Sequence, residues 1–285
     1  MTLHDPRQQE KIMVNAVTKS FASSGAVPVH VLDRMDLVIG AGEFVSIIGP
    51  SGCGKSTLFN ILAGLEMPDS GEVNVDGASA LGRPEYCAYM PQKDLLLPWR
   101  RIIDNAGLGL EVQGMKRKAA RAKAGELFDV FGLSGFEYSW PSQLSGGMRQ
   151  RVALLRTVVQ NRSVLLLDEP FGALDSLTRT EMQLWLTDVW ERYRWTVVLI
   201  THDIREAVFL SDRVYALTPR PSRAGSEHVI DLPRPRRPEM LASHRAAALE
   251  GDLLATLERR APATRLADRT DPLPTQLASL RGRSP

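Results

Sequence analysis

Hydrophobic and polar residues alternate along the first part of the chain and predict extended strands. "KIMVNAV" (11–17) and "VLDRMDLVIG" (31–40) have this alternation. The next segment, "FVSIIG" (44–49), is almost entirely apolar, which is typical of a strand buried on both faces. "SGEVNVDG" (70–77) and "YCAYM" (86–90) predict two more strands, the first of them at a sheet edge.

Apolar residues three or four positions apart predict helices between about Lys93 and Arg162. The segments with this spacing are 102–114, 118–132 and 146–160. Strand character returns in "SVLLLDEP" (163–170), and helices and strands then alternate up to Thr218. This alternation predicts a parallel sheet covered on both sides, with the helical block at about 93–162 as an inserted subdomain.

The composition changes beyond residue 217 and predicts a three-part chain. "PRPSRAG" (219–225) and "LPRPRRP" (232–238) are typical of turns and a linker, and an amphipathic helix is predicted over 239–260. From Ala261 the chain has few large apolar residues, which predicts disorder. The expected division is a main domain at 1–217, a C-terminal extension at 218–260 and a tail at 261–285.

Charge, cysteine content and hydropathy exclude several classes of partner and site. The 285 residues include 35 basic and 33 acidic ones, a net charge of +2, so nucleic acid is not an expected partner. The two cysteines, Cys53 and Cys87, lack CxxC spacing and predict neither a disulfide framework nor a zinc site. The sequence has no signal peptide and no apolar run of roughly 18–20 residues. We therefore expect a cytoplasmic chain that reaches a membrane only through a partner.

The segment "GPSGCGKST" fits the phosphate-binding pattern G-x-x-x-x-G-K-[ST] between a buried strand and a helix. Its glycines allow backbone N–H groups to turn toward phosphates, and the helix dipole adds partial positive charge there. Lys55 is expected to reach the β- and γ-phosphates, and the Ser56 hydroxyl to bind Mg²⁺. The predicted nucleotide-binding residues are Gly49, Pro50, Ser51, Gly52, Cys53, Gly54, Lys55, Ser56 and Thr57.

Two carboxylates follow the strand predicted at 163–168. Asp168 is expected near the magnesium ion, through a water molecule, and Glu169 is the better candidate for the general base because it lies one residue further out. The alternative is that the pair only caps the next helix, and the neighbouring phosphate loop makes this alternative the weaker one.

The segment "LSGGMRQR" (144–151) predicts a second phosphate-binding site. Each glycine costs about 1 kcal/mol relative to alanine in a helix interior, so two beside a serine at a helix start favour an anion site. The alternative is that the glycines allow close helix packing.

Together these motifs, with "GALD" (172–175) and "THD" (201–203), resemble the ATP-binding subunit of an ABC transporter over about residues 11–217. The resemblance implies an α/β fold of the P-loop NTPase class, with a mixed sheet core, an antiparallel β-subdomain and an inserted helical subdomain. It also implies ATP hydrolysis with ATP and Mg²⁺, in a head-to-tail homodimer in which the signature helix of one chain closes over the ATP of the other. The residues that it implies act in trans are Ser145, Gly146, Gly147 and Gln150, and Asp175 would cross the interface.

The same resemblance assigns roles to further residues. Gln92 would sense the γ-phosphate and the metal, so that Ser56, Gln92 and Asp168 form the metal set. His202 would bind the γ-phosphate and complete a catalytic group with Gln92 and Glu169. Phe21 would stack on adenine, unless it belongs to the core.

A surface for a membrane partner is predicted at "KDLLLPWR" (93–100), unless its leucines are core. This segment, with "THDIREAVFLSDRV" (201–214) and "LPRPR" (232–236), resembles importers of nitrate, sulfonates, taurine and thiamine precursors. The implied partners are a multi-span permease and, indirectly, an extracytoplasmic solute-binding protein, with the chain peripheral at the cytoplasmic face of the cell membrane. The alternative is a soluble ABC ATPase that does not transport, and the sequence does not identify the solute.

Overall fold

The computed structural model describes residues 9–23 and 26–260, and in this part of the chain it has two β-sheets. The first sheet is antiparallel, with strand order β2-β1-β4-β5. Its strands are β1 (Glu10–Ser23), β2 (Ala26–Gly40), β4 (Ser70–Val75) and β5 (Ala78–Ser79). This sheet is the predicted antiparallel subdomain. The prediction that 70–77 forms an edge strand is wrong, because β5 pairs with the outer side of β4.

The second sheet forms the centre of the molecule, with strand order β10-β9-β3-β8-β7-β6. Its strands are β3 (Phe44–Ile48), β6 (Cys87–Met90), β7 (Val164–Asp168), β8 (Thr196–Ile200), β9 (Arg213–Leu217) and β10 (Ala224–Val229). All neighbours pair in parallel except β10, which is antiparallel to β9. The carboxyl ends of the parallel strands therefore meet at one edge.

Helices cover both faces of the central sheet, and the core has three clusters. Around the sheet lie α1 (Lys55–Leu62), α6 (Ser176–Tyr193), α7 (Ile204–Leu210) and α8 (His244–Arg260). The helical block contains α2 (Ile102–Ala106), α3 (Leu108–Val112), α4 (Arg117–Gly125) and α5 (Gly146–Val158). One cluster joins a face of the sheet to this block and α6, and another joins the opposite face to α1 and the antiparallel sheet. The third joins β3 and β9 to α7 and α8.

The helix predicted over 118–132 is too long, because α4 ends at Gly125 and turns follow. Phe128 and Phe131 are nevertheless buried, and the Leu133 amide donates to the Phe128 carbonyl to close the last turn. Apolar residues three positions apart can reach one core from successive turns as well as from a helix, so the spacing alone overestimated the helix.

The extension at 218–260 contains a strand that the proline-rich composition did not predict. β10 lies within it, and the predicted amphipathic helix is a 3₁₀ turn over Pro238–Ala242 followed by α8. Arg236 is only 1% exposed and donates to the carbonyls of Val208, Phe209 and Ser211 at the end of α7. The extension thus packs on the central sheet and on α7. Its boundary at 217 stays a prediction, and the predicted disordered tail lies outside the described residues.

No helix in the described ranges is both long and apolar enough to cross a membrane.

A buried carboxylate holds the helical block together. Asp104 on α2 accepts two hydrogen bonds from each of two arginines on α4, Arg117 and Arg121, with N–O distances between 2.6 and 2.8 Å. These pairs hold the pKa of Asp104 well below its usual range. The charges of these two arginines are therefore paired within the helical block.

Replacing Asp104 by asparagine should destabilise the chain by about 1–3 kcal/mol, because both guanidinium groups lose a charged acceptor that can take all four bonds. Thermal unfolding would measure the loss. Asp129→Asn, at an exposed position of the same block, is the control and should change stability by less than about 0.5 kcal/mol. Equal stabilities of the two variants would contradict this role of Asp104.

Candidate active site

The phosphate loop connects β3 to α1 along residues 49–54. Gly52 has φ 72° and Gly54 has φ 113°, a region that side chains with a Cβ rarely adopt. A Cβ on Gly54 would also lie 2.7 Å from Val31 Cγ1. Gly54 is the N-cap of α1 and no side chain caps the helix. The first N–H groups of α1 are thus suited to an anion.

Lys55 lies folded back over this loop. Its side chain is buried, and Nζ donates to the carbonyls of Gly49 at 2.8 Å and Pro50 at 3.0 Å. Both acceptors are neutral, so the charge of Lys55 is left for a phosphate. Ser56, the next residue, is exposed.

Asp168, at the end of β7, is a buried carboxylate that accepts a hydrogen bond from the Tyr89 hydroxyl at 3.2 Å. Burial raises the pKa of Asp168, and the neighbouring Glu169 carboxylate adds to this, while Tyr89 and Lys55 act against it. A nearby cation would favour the ionised form. The oxygen donors of Asp168, Ser56 and Gln92 are of the type that Mg²⁺ prefers, so these residues fit the ion.

Glu169 has a backbone conformation that is uncommon for a residue with a side chain, with φ 43°. Its N–H donates to the Ile200 carbonyl at 2.9 Å, and its own carbonyl accepts from Gly172 at 3.1 Å. These two bonds hold the strained turn, and such strain persists only where the surroundings determine it. The side chain is directed out of the sheet edge.

Three predicted catalytic side chains meet at one oxygen atom. Gln92 Nε2 lies 3.0 Å and His202 Nδ1 lies 3.3 Å from Glu169 Oε2. The three residues follow β6, β7 and β8, which pair in parallel. The arrangement holds one carboxylate oxygen between two polar groups, while the His202 side chain remains 65% exposed.

A hydrogen-bond network supports the turn that carries His202. The Asp203 carboxylate caps α7 by accepting from the amides of Arg205 at 2.9 Å and Glu206 at 3.2 Å. Beneath it, the Thr201 hydroxyl donates to the Glu206 carboxylate, and burial raises the pKa of Glu206 to about 7. Sequence reasoning missed Tyr89, Thr201 and Glu206, because no motif marks a residue that acts through such contacts.

The start of the signature helix makes its own local hydrogen bonds. Ser145 is the exposed N-cap of α5, and its hydroxyl accepts from the Met148 amide at 3.2 Å. Among the residues that the structure describes, no hydrogen bond or ion pair joins 144–147 to the phosphate loop. Asp175 caps α6 in the same way, accepting from the Thr178 amide at 3.1 Å. Hydrogen bonds from the Thr178 side chain and from this amide lower the pKa of Asp175.

Two residues of the signature group are buried in this chain. Gly147 is buried against α6, where an added Cβ would lie 2.7 Å from Thr178 Cγ2, so close packing is one reason for this glycine. Gln150 is only 5% exposed, and its role in trans stays a prediction. Ser145 and Gly146 remain accessible.

Phe21 lies on β1 opposite Val29 and is 40% exposed. The Lys19 ammonium lies 5.2 Å from the centre of its ring. The core alternative therefore fails for Phe21, and its stacking on adenine stays a prediction.

Comparisons with known proteins agree with this geometry. The family model described as "ABC transporter" matches residues 32–172. The chain is 44% identical to the aliphatic sulfonates import ATP-binding protein SsuB 3 of Pseudomonas savastanoi pv. phaseolicola, over 87% of this chain and 88% of that protein. It is 42% identical to the formylaminopyrimidine import ATP-binding protein ThiZ of Halalkalibacterium halodurans, over 84% and 93%.

A solved dimeric structure of a bacterial ABC transporter cassette is also similar, with a TM-score of 0.68 and 32% identity, over 78% of this chain and 99% of that one. A second structure of the same cassette, in a post-hydrolysis state bound to ADP and Pi, has a TM-score of 0.67 and 31% identity. The predicted fold class is confirmed. The chain belongs to the ABC transporter family as an ATP-binding subunit that hydrolyses ATP.

Proposed function

We propose that this chain powers the import of a small solute by hydrolysing Mg·ATP between the phosphate loop of one chain and the signature helix of a second copy. The observation that carries the proposal is the convergence of Gln92 and His202 on Glu169 Oε2, at the sheet edge from which the phosphate loop also leaves. The exposed start of the signature helix lies elsewhere on the chain and is available to a partner.

The side chains divide the reaction between them. Lys55 and the first amides of α1 bind the β- and γ-phosphates, and Glu169 takes a proton from the attacking water. Gln92 and His202 hold the carboxylate of Glu169 toward that water. Ser56, Gln92 and Asp168 would hold Mg²⁺, which would supply positive charge to stabilise the phosphate oxygens.

Lys55→Ala should reduce ATP affinity at least tenfold and abolish measurable turnover, because it removes the buried cation that crosses the loop. Binding of a fluorescent ATP analogue and phosphate release by the purified chain would measure both. Unchanged turnover would contradict the site assignment. Lys93→Ala, at an exposed position outside the loop, is the matched control.

The head-to-tail arrangement can be tested by mixing two defective chains. Ser145→Asp keeps an N-cap acceptor for α5, and asparagine and aspartate cap as well as serine does. The new carboxylate would lie against the partner's γ-phosphate. Two like charges about 4 Å apart repel by about 4 kcal/mol at an effective dielectric constant of 20.

Neither Lys55→Ala nor Ser145→Asp alone should occlude ATP, because each defect then affects both sites of a dimer. A heterodimer of the two variants concentrates both defects in one site and leaves the other intact, so mixing should restore up to one occluded ATP per heterodimer. Occlusion is measured as the amount of labelled ATP that does not exchange with unlabelled ATP in solution. Ser145→Asn should occlude normally on its own, and heterodimers that occlude nothing would contradict the arrangement.

We further propose that the segment at 93–100 contributes to a permease-binding surface. Beside it lies an open cleft of about 560 Å³, lined by Tyr89, Leu95 and Val112 among others. Leu95, Val112 and Trp99 are exposed, with Trp99 70% exposed, whereas Leu96 is 8% exposed and belongs to the core. The core alternative therefore holds for Leu96, whereas Leu95 and Trp99 are exposed and available to a partner.

Trp99→Ala should leave folding and ATP binding intact and weaken co-purification with the permease, since large aromatics at interfaces often contribute about 2 kcal/mol or more. Leu96→Ala is the contrasting variant and should destabilise the chain itself by about 2–5 kcal/mol. Thermal unfolding and pull-down of both variants would separate the roles. A Trp99→Ala protein that binds permease as tightly as the parent would contradict this surface.

The solute follows from the relatives alone. The named relatives import aliphatic sulfonates and formylaminopyrimidine, so we propose a small anion or heterocycle of this range, such as a sulfonate, taurine, nitrate or a thiamine precursor. The chain would then lie peripherally at the cytoplasmic face of the membrane, bound to a permease that receives solute from an extracytoplasmic binding protein. Ligand binding by that protein identifies the solute. Absence of any multi-span protein from purified complexes would favour a soluble ABC ATPase instead.

A further inference from the structure

The loop between β9 and β10, "TPRPSR" (218–223), lies against two parts of the nucleotide site, and we call it the strap loop. Where it begins, a Cβ on Gly49 would lie 3.2 Å from Leu217 Cβ, so the end of β9 touches the start of the phosphate loop. Further along, the Ser222 amide donates to the Val31 carbonyl at 2.8 Å, and the Asp33 amide donates to the Ser222 carbonyl at 2.9 Å. The strap loop thus joins the phosphate loop to β2.

The two arginines of the strap loop have different partners. Arg220 donates to the Gly52 carbonyl through Nε at 3.0 Å and also through Nη2. Arg223 donates instead to the Asp33 carboxylate on β2. Both arginines are exposed, so they form a matched pair in which one contacts the phosphate loop and the other does not.

The Gly52 carbonyl is a sensitive point of the phosphate loop. In a trans peptide the C=O and the next N–H point to opposite sides of one plane, so a fixed Gly52 carbonyl also fixes the Cys53 amide. That amide donates to the Pro50 carbonyl at 3.2 Å, inside the turn of the loop. Gly52 has φ 72° and, lacking a Cβ, restricts its own rotation very little. The guanidinium therefore adds a second restraint on this peptide, on its carbonyl side.

The other end of the strap loop reaches the sheet that carries Phe21. β2 pairs with β1, where Val29 lies opposite Phe21. The Val31 side chain on β2 also lies against Gly54. The strap loop therefore fixes the tip of the phosphate loop relative to the sheet on which the adenine is expected to stack.

We propose that Arg220 is a positioning residue of the ATP site, holding the tip of the phosphate loop at the Gly52 carbonyl so that the loop keeps the conformation that binds the phosphates. The proposal rests on the assignment of the phosphate loop under the proposed function. Arg220 then acts through the backbone of the phosphate loop and does not contact the reacting atoms.

Arg220→Ala should weaken binding of both ATP and ADP by roughly three- to tenfold, because both nucleotides carry the phosphates that the loop holds. The KM for ATP should rise by a similar factor while kcat changes less than about twofold, since Gln92, Glu169 and His202 are untouched. The melting temperature of the nucleotide-free chain should stay within about 2 °C, corresponding to less than about 1 kcal/mol. Arg220→Lys, which keeps one donor in place of two, should recover part of the affinity.

Arg223→Ala is the control from the same loop and should leave nucleotide affinity unchanged. Equal losses in Arg220→Ala and Arg223→Ala, unchanged affinity in Arg220→Ala, or a joint fall in kcat and melting temperature would each overturn the proposal. Measuring Lys55→Ala beside them separates a failure of the role proposed for Arg220 from a failure of the phosphate-loop assignment. If Lys55→Ala loses ATP binding while Arg220→Ala does not, only the role of Arg220 fails, whereas normal binding by Lys55→Ala removes the phosphate-loop assignment itself.

Discussion

Parallel pairing of the central strands is the constraint on which the active site depends. β3, β8, β7 and β6 lie side by side in one direction, so the residues that follow each strand emerge at one edge. The chain places a phosphate loop after β3 and single polar side chains after the other three strands. Gln92, Glu169 and His202, which are far apart along the chain, therefore meet in space. Glu169 Oε2 is the atom where this convergence is tightest.

This arrangement includes two features that are unfavourable for folding, a strained backbone residue and a buried carboxylate. Glu169 holds a positive φ, and Asp168 is a carboxylate whose burial raises its pKa. Both features oppose folding in isolation, and both suit a site that receives a cation together with a polyphosphate. The start of α5 has an exposed serine cap and a half-exposed glycine. Under the proposed function, a second copy of the chain presents its bound ATP to these residues.

Much of this could be predicted from the sequence, because the phosphate loop and the Asp168–Glu169 pair are local patterns in which a strand, a turn and a helix follow in order. Local patterns do not predict which side chains are buried or which distant residues they contact. Gln150 shares a motif with Ser145, yet one turn of helix separates a buried position from an exposed one. β10 was missed because its sequence, "AGSEHV", lacks an apolar alternation and is held mainly by pairing with β9. Arg220 lies 168 residues from its partner Gly52, a separation that no motif spans.

The most direct test of the central claim is the state of a Glu169→Gln chain in the presence of Mg·ATP. Glutamine keeps the size of the side chain and its hydrogen bonding, but it cannot take the proton from water. The account predicts that the purified variant shifts from monomer to dimer in sedimentation or light-scattering measurements, retains one ATP per chain and releases no phosphate. A variant that stays monomeric with ATP bound, or that hydrolyses ATP near the parental rate, would contradict the account.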